Sequence, residues 1–283
     1  MNDNNTKILK VSGKNLDSFF QNLITNDINL LTHQKIIYTC VLTPQGKFLN
    51  DFFLTKRNSS YLIEINENEI ESFTNLLKHY DLRKNYNIEE VKNLKTLVCL
   101  EKKYDQFLKI FKDKIKNFTE CFEVFEDPRS KGYLLRIWIK KDRASEITKA
   151  FAKLDQNEIE VERIKRLIPN SQIDLEKNKS FILAFGLDRL NAISFDKGCF
   201  VGQENTARQK YRGSQKYILS SLKLLEGSFP PFNDELKLAG QRIGIMKSSR
   251  GDYGLALIKN DIKKSNNETY EICHSTKVFI NHQ

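Results

Sequence analysis

A tight turn between two β-rich runs constrains the fold of this chain more than any other feature. The runs are residues 36–42 and 47–54, and Thr43-Pro44-Gln45-Gly46 lies between them. Pro and Gly stand where a hairpin turn needs them, and so short a connection joins antiparallel neighbours. The sequence therefore predicts an antiparallel sheet, and residues 61–65 are expected to supply a third strand.

Apolar residues at a spacing of three and four predict a helix over residues 15–24. Other segments repeat this helical pattern or are again β-rich. Because the strands come as hairpins and no G-x-G-x-x-G string follows a strand, the expected class is α+β, with antiparallel sheets and packed helices. The further predicted helices are residues 70–80, 104–115 and 147–154. The further predicted strands are residues 96–100 and 134–139.

The pattern changes from Tyr217 onward, where short β-rich runs alternate with turn residues such as Pro230-Pro231. This alternation is typical of a small all-β barrel. A chain of 283 residues is long enough for two or three compact units. We therefore expect residues 1–212 to form two interleaved α+β subdomains and residues 213–283 to form a C-terminal barrel.

The formal net charge of +10 favours anionic partners. The lysines are scattered along the chain, however, which is typical of solvated faces, so the charge supports only a weak contact with nucleic acid. The five cysteines are odd in number and form no C-x-x-C pair, so neither a disulfide framework nor a zinc site is predicted.

The N-terminal residues MNDNNTKILK have neither a secretory nor a transit-peptide pattern, and no apolar run approaches the roughly 20 residues of a membrane span. We therefore expect a cytosolic protein that does not bind membranes. We also expect it to be a monomer.

Residues 191–213 read NAISFDKGCFVGQENTARQKYRG and contain three glycines, which permit tight turns and close approach by a ligand. Lys197, Arg208, Lys210 and Arg212 surround Cys199 in sequence, and nearby cations stabilise a thiolate. Alternatively, Cys199 is a small buried hydrophobic residue, as many lone cysteines are. The residues alone leave both interpretations open.

This segment resembles the signature K-G-C-[YF]-x-G-Q-E-x-x-A-R-x-x-[YF]-R-G of the YgfZ family, folate-binding proteins related to the aminomethyltransferase (T protein) of glycine cleavage. Other strings resemble family motifs in the same order along the chain. Four residues of this chain differ from those that the family usually has at the same positions. They are Leu23 in place of Gln, Phe200 in place of Tyr, Lys165 in place of an acid and Leu167 in place of Gly. The matching strings are FQNLITND (20–27), LTPQGKFLND (42–51), YDLR (80–83), Asp127-Pro128-Arg129, and residues 240–248 before Gly254-Leu255-Ala256.

The resemblance implies a T-protein-like arrangement and the binding of tetrahydrofolate or a derivative. Pterin N–H groups need a carboxylate, for which Asp51 is the candidate, and the glutamate tail needs cations, for which Arg83 and Arg208 are candidates. Without the resemblance, Asp51 is as readily a turn or capping acid. The full set of candidate folate-binding residues is Asn26, Asp27, Asp51, Arg83, Arg163, Lys197, Gly198, Gly202, Gln203, Glu204 and Arg208.

The family's role implies a helper that supports iron-sulfur cluster assembly or repair in client enzymes, including tRNA-modifying ones. Cys199 is then the candidate for a redox or transient cluster contact, because thiolates bind iron. We expect no independent catalytic activity, and iron-sulfur client or assembly proteins as partners. The alternatives are a true aminomethyltransferase and a basic RNA-binding protein.

Overall fold

The computed structural model describes residues 5–104, 122–142, 156–213, 215–262, 269–273 and 276–281. The chain forms two compact units, each built from separate stretches of sequence. Unit 1 contains residues 1–41, 50–156 and 191–201, and unit 2 contains residues 42–49, 157–190 and 202–283. The predicted boundary at residue 212 stays a prediction.

The described parts of the chain contain α-helices and strands, together with two short 3-10 helices, Ile28–Thr32 and Glu67–Glu69. The helices are α1 (Leu16–Leu23), α2 (Ile70–Tyr80), α3 (Gln156–Lys165) and α4 (Gln203–Tyr211). The strands are β1 (Thr6–Gly13), β2 (Ile37–Leu42), β3 (Phe48–Arg57), β4 (Ser60–Asn66), β5 (Tyr86–Glu90), β6 (Leu94–Leu100), β7 (Phe122–Glu126), β8 (Leu134–Lys140), β9 (Tyr217–Glu226), β10 (Glu235–Leu238), β11 (Gln241–Arg250), β12 (Tyr253–Lys259), β13 (Thr269–Ile272) and β14 (Thr276–Asn281).

Two antiparallel sheets supply the strands of unit 1. The larger sheet has the order β2-β3-β4-β1-β5, and the smaller has the order β6-β8-β7. Helix α1 buries Leu16, Phe20 and Leu23, three of the four residues that its apolar spacing placed on one face, and the fourth, Phe19, is half-buried. The hairpin of β2 and β3 is confirmed, and its turn is closed by a bond from the Thr43 N–H to the Lys47 carbonyl of 2.8 Å.

Unit 2 contains a closed barrel with the strand order β10-β11-β12-β9-β14-β13. Its interior is filled by apolar residues of alternating strand positions, including Leu222, Met246, Ile258 and Ile280. The predicted α+β class and the C-terminal barrel are therefore confirmed.

The predicted helices over residues 104–115 and 147–154 lie almost entirely outside the described residues. None of the helices in the described ranges is long and apolar enough to cross a membrane.

Candidate functional site

The Cys199 loop, residues 191–201, is tied to the turn after helix α1 by hydrogen bonds along its whole length. Lys197 is buried, and its ammonium donates to the carbonyl oxygens of Ile24 at 2.8 Å and Asn26 at 2.7 Å. The Ser194 N–H bonds to the Thr25 carbonyl at 3.0 Å, and the Val201 N–H to the Asn22 carbonyl at 3.2 Å. The loop is therefore fixed on both sides of Cys199.

Two polar side chains of the turn complete this attachment. The Thr25 hydroxyl donates to the Ala192 carbonyl at 2.6 Å, and the Asn26 amide donates to the Asn191 carbonyl at 2.7 Å. Asp27 caps the following short helix by accepting from the Asn29 N–H at 2.9 Å. Asn26 and Asp27, which the sequence offered as ligand residues, thus already have partners within the protein.

Cys199 and Gly198 are exposed in this loop, whereas the next residue, Phe200, is buried. The interpretation of Cys199 as a buried hydrophobic residue is therefore wrong. Burial lowers the pKa of Lys197 to about 8, and the carboxylate of Asp27 acts in the opposite direction.

Three of the four cations near Cys199 in sequence have partners of their own. The Lys197 ammonium binds backbone carbonyls, Arg208 pairs with Glu204 at 3.0 Å, and Lys210 pairs with Asp188 at 2.8 Å. Proximity in sequence alone therefore does not assign these cations to the thiol.

Gly202 is the N-cap residue of helix α4 and packs against the Pro-Gly turn of the first hairpin. Its φ is +84°, and a Cβ there would lie 2.6 Å from the Thr43 carbonyl oxygen. The Asn205 amide also donates to the Gln45 carbonyl at 3.0 Å. The G-Q-E and P-Q-G strings, distant in sequence, are thus in contact because neither glycine carries a side chain.

One face of helix α4 borders an open cavity of about 580 Å³. Gln203 is half-buried, and Glu204 and Arg208 are exposed. Among the described residues, those that line it are Gln203, Glu204, Ala207, Arg208, Tyr211 and Arg212.

Asp51 is half-buried on β3 and accepts a hydrogen bond of 2.7 Å from the hydroxyl of Tyr38 on β2. Burial raises the pKa of Tyr38 well above its ordinary value, and the negative charge of Asp51 raises it further, so the hydroxyl keeps its proton. Sequence reasoning missed Tyr38; the only signal for it was its place on the strand paired with the one that carries Asp51.

Arg83 lies in an exposed turn after helix α2. Arg163 is buried in unit 2, where its guanidinium donates to the Ile168 carbonyl at 2.7 Å and to Glu160 at 3.0 Å. Leu167 has φ +56°, a left-handed conformation that glycine adopts without strain. Among the described residues, no cluster of His, Cys, Asp and Glu is suited to hold a metal ion.

No family model matches the chain. A mitochondrial IBA57 homolog from Neurospora crassa, named as an iron-sulfur cluster assembly factor, is 28% identical over 79% of this chain and 53% of its own length. The mitochondrial iron-sulfur cluster assembly factor IBA57 from Mus musculus is 24% identical over 91% of this chain and 76% of its own length. The chain thus spans little more than half the length of the fungal relatives.

The names of these IBA57 relatives place them in mitochondria. This finding contradicts the cytosolic location that the N-terminal residues led us to expect. The absence of a recognisable transit pattern in those residues was not a sound basis for that expectation.

A bacterial relative is the tRNA-modifying protein YgfZ from Aliivibrio fischeri, 25% identical over 77% of this chain and 70% of its own length. The aminomethyltransferase T of the Bartonella henselae glycine cleavage system superposes with a TM-score of 0.75, covering 100% of this chain and 84% of that one at 13% identity. At 13% sequence identity, this structural similarity shows the fold alone. The resemblance seen in the sequence is therefore confirmed: this chain is a relative of the IBA57 and YgfZ proteins and has the fold of the glycine cleavage T protein.

Proposed function

We propose that this protein supports iron-sulfur cluster assembly or repair in client enzymes, including tRNA-modifying ones, and that Cys199 makes the contact with the cluster. The observation that carries the proposal is an exposed thiol in a loop fixed by Lys197. A thiolate binds iron after its proton has passed to solvent. The relatives' names, as assembly factors, support the same role.

A single cysteine supplies one ligand, whereas a cluster needs about four. Partner proteins must therefore supply the other ligands, and the contact of Cys199 is a transient one within a complex. We expect the chain to act as a monomer with assembly or client proteins, and nucleic acid to make at most weak contact with its basic surface.

We further propose that the protein binds tetrahydrofolate or a derivative, with Asp51 at the pterin end. The chemistry fits, because a half-buried carboxylate accepts hydrogen bonds from the N–H donors of a pterin edge. Arg83, which is exposed and belongs to the same unit as Asp51, remains the candidate for a carboxylate of the tail.

Complementation tests the role of Cys199. In cells that lack this protein, a Cys199→Ser variant should fail to restore the activity of iron-sulfur client enzymes, while a Cys273→Ser variant should restore it. Cys273 is the matched control because it is a second partly accessible cysteine. Full restoration by Cys199→Ser would refute the cluster contact.

Calorimetric titration tests the folate site. Tetrahydrofolate should bind the wild-type protein, and Asp51→Asn should weaken the binding by about tenfold or more, the loss expected for a charge-assisted hydrogen bond. Wild-type protein that binds RNA at physiological salt but not folate would favour an RNA-binding protein instead. Rapid turnover with the lipoyl carrier protein of glycine cleavage would favour an aminomethyltransferase.

A further inference from the structure

The carboxylate of Asp51 is held by a buried tyrosine in a closely packed setting. The Tyr38 hydroxyl donates to Asp51 Oδ2 at 2.7 Å, and Tyr38 itself is only 2% exposed. Its ring packs on Phe53 with the ring centroids 5.1 Å apart. The hydroxyl therefore has little freedom to leave Asp51.

A guanidinium group lies against both of these rings. The Arg129 Cζ atom is 5.3 Å from the Tyr38 centroid and 4.8 Å from the Phe53 centroid. Stacking of a guanidinium on an aromatic face is favourable, and it is stronger where water is excluded. Arg129 therefore fixes the ring whose hydroxyl holds Asp51.

Arg129 is fixed in turn by a buried carboxylate. Its Nε and Nη2 atoms donate to the two Asp127 oxygens at 3.0 and 2.9 Å, and its backbone N–H adds a third bond at 3.0 Å. Asp127 also accepts from Arg136 at 3.0 Å. The two-pronged bond holds the plane of the Arg129 guanidinium in one orientation.

We infer that Tyr38 and Arg129 are positioning residues that hold the Asp51 carboxylate in the orientation in which it recognises a pterin. The inference rests on the proposed folate site and names two residues that act through Asp51. A carboxylate held in its bound orientation loses less conformational freedom on binding, and this raises affinity. The contacts from Asp127 through Arg129 and Tyr38 to Asp51 all lie within unit 1.

Tetrahydrofolate titration of Tyr38→Phe and Arg129→Lys tests the inference. Each variant should bind about tenfold more weakly than wild type, since one hydrogen bond or its support is lost. In Tyr38→Phe, the pH at which affinity falls on acidification should move upward, because the donor that stabilises the ionised carboxylate is gone. The double variant should lose less affinity than the two single losses combined, because both residues act through Asp51.

Tyr61→Phe is the matched control. Tyr61 is a buried tyrosine of the same unit, and its hydroxyl donates to Asp17 at the same distance of 2.7 Å. This variant should keep wild-type affinity and its pH profile, although it loses a comparable hydrogen bond.

The outcomes separate this inference from the proposed function. A wild-type protein that does not bind tetrahydrofolate refutes the folate site and the inference with it. A wild-type protein that binds, together with unchanged affinity in Tyr38→Phe and Arg129→Lys, refutes the inference alone. An equal loss in Tyr61→Phe also refutes it, because the effect would then be one of general stability.

Discussion

The ammonium of Lys197 lies 2.7 Å from the carbonyl oxygen of Asn26, although 171 positions separate the two residues in the chain. This bond joins the K-G-C string to the T-N-D string, two motifs whose relationship is invisible in the sequence. Lys197, two residues before Cys199, therefore anchors the loop that carries the thiol to the turn after helix α1.

Replacing Lys197 by Met should release the Cys199 loop. The Ile24 and Asn26 carbonyls lose their donor, so the free energy of unfolding should fall by about 1–3 kcal/mol. Hydrogen exchange at the Ser194 and Val201 amides should become faster, measured by mass spectrometry. Lys210→Met, which removes an exposed ion pair with Asp188, should cost less than about 1 kcal/mol and leave the exchange of the loop unchanged.

The stability that Lys197 contributes should depend on pH. Its pKa is about 8 in the folded protein, below the ordinary value of 10.5, because burial disfavours the charged form. Between these values the unfolded chain binds a proton that the folded protein does not, so stability rises with pH. The difference in unfolding free energy between wild type and Lys197→Met should therefore increase from about pH 8 to pH 10.5. If the unfolding free energies of the wild type and Lys197→Met changed in parallel with pH, the lowered pKa of Lys197 would be contradicted.

The two glycines that flank Cys199 should respond differently to substitution by alanine. At Gly202 the φ of +84° and the Thr43 oxygen at 2.6 Å leave no room for a Cβ, so Gly202→Ala should cost at least about 2 kcal/mol. At Gly198 no atom lies within 4 Å of an added Cβ, so Gly198→Ala should change stability by less than about 0.5 kcal/mol. Denaturant unfolding of both variants checks this, and equal losses would show that the packing around Gly202 is wrong.

The elements that could be predicted from the sequence are those whose pattern is local. Helix α1 and the first hairpin carry their own periodicity and turn residues. Strand β5, by contrast, contains Glu89 and Glu90 and is a strand only because it pairs with β1. Helix α4 is polar on nearly every side, so no apolar stripe indicated it.

The candidate site could be predicted only in part for a related reason. The motif match selected Asp51, Lys197 and Cys199, but it could not say what each contacts. Tyr38 was missed because its hydrogen bond to Asp51 depends on the pairing of two strands. Arg129 was noticed only as part of a string, since its stacking on Tyr38 depends on tertiary packing.

Among the carboxylates of unit 1, Asp127 should be one of those whose replacement lowers the stability of the protein most. Burial alone would raise its pKa, but the charges of Arg129 and Arg136 outweigh burial and lower the pKa to about 2. Asp127→Asn leaves both guanidinium groups without this partner and should cost about 3–5 kcal/mol. The wild type should also lose stability relative to the variant as the pH falls from about 4 to 2. Glu226→Gln, which removes an exposed ion pair with Lys277, should cost less than about 1 kcal/mol. Between pH 4 and 2, the wild type should not lose stability relative to this variant.

Leu167 combines a fully buried side chain with a left-handed backbone, and two substitutions separate these effects. Leu167→Ala removes the buried side chain and should cost about 2–5 kcal/mol. Leu167→Gly also removes the Cβ atom that alanine keeps, but it relieves the conformational strain, which is about 1–2 kcal/mol for a residue with a Cβ. The glycine variant should therefore be more stable than the alanine variant by about 1 kcal/mol, the reverse of the order expected inside a helix. Chemical denaturation of the two variants measures the difference, and a less stable glycine variant would contradict the left-handed conformation at Leu167.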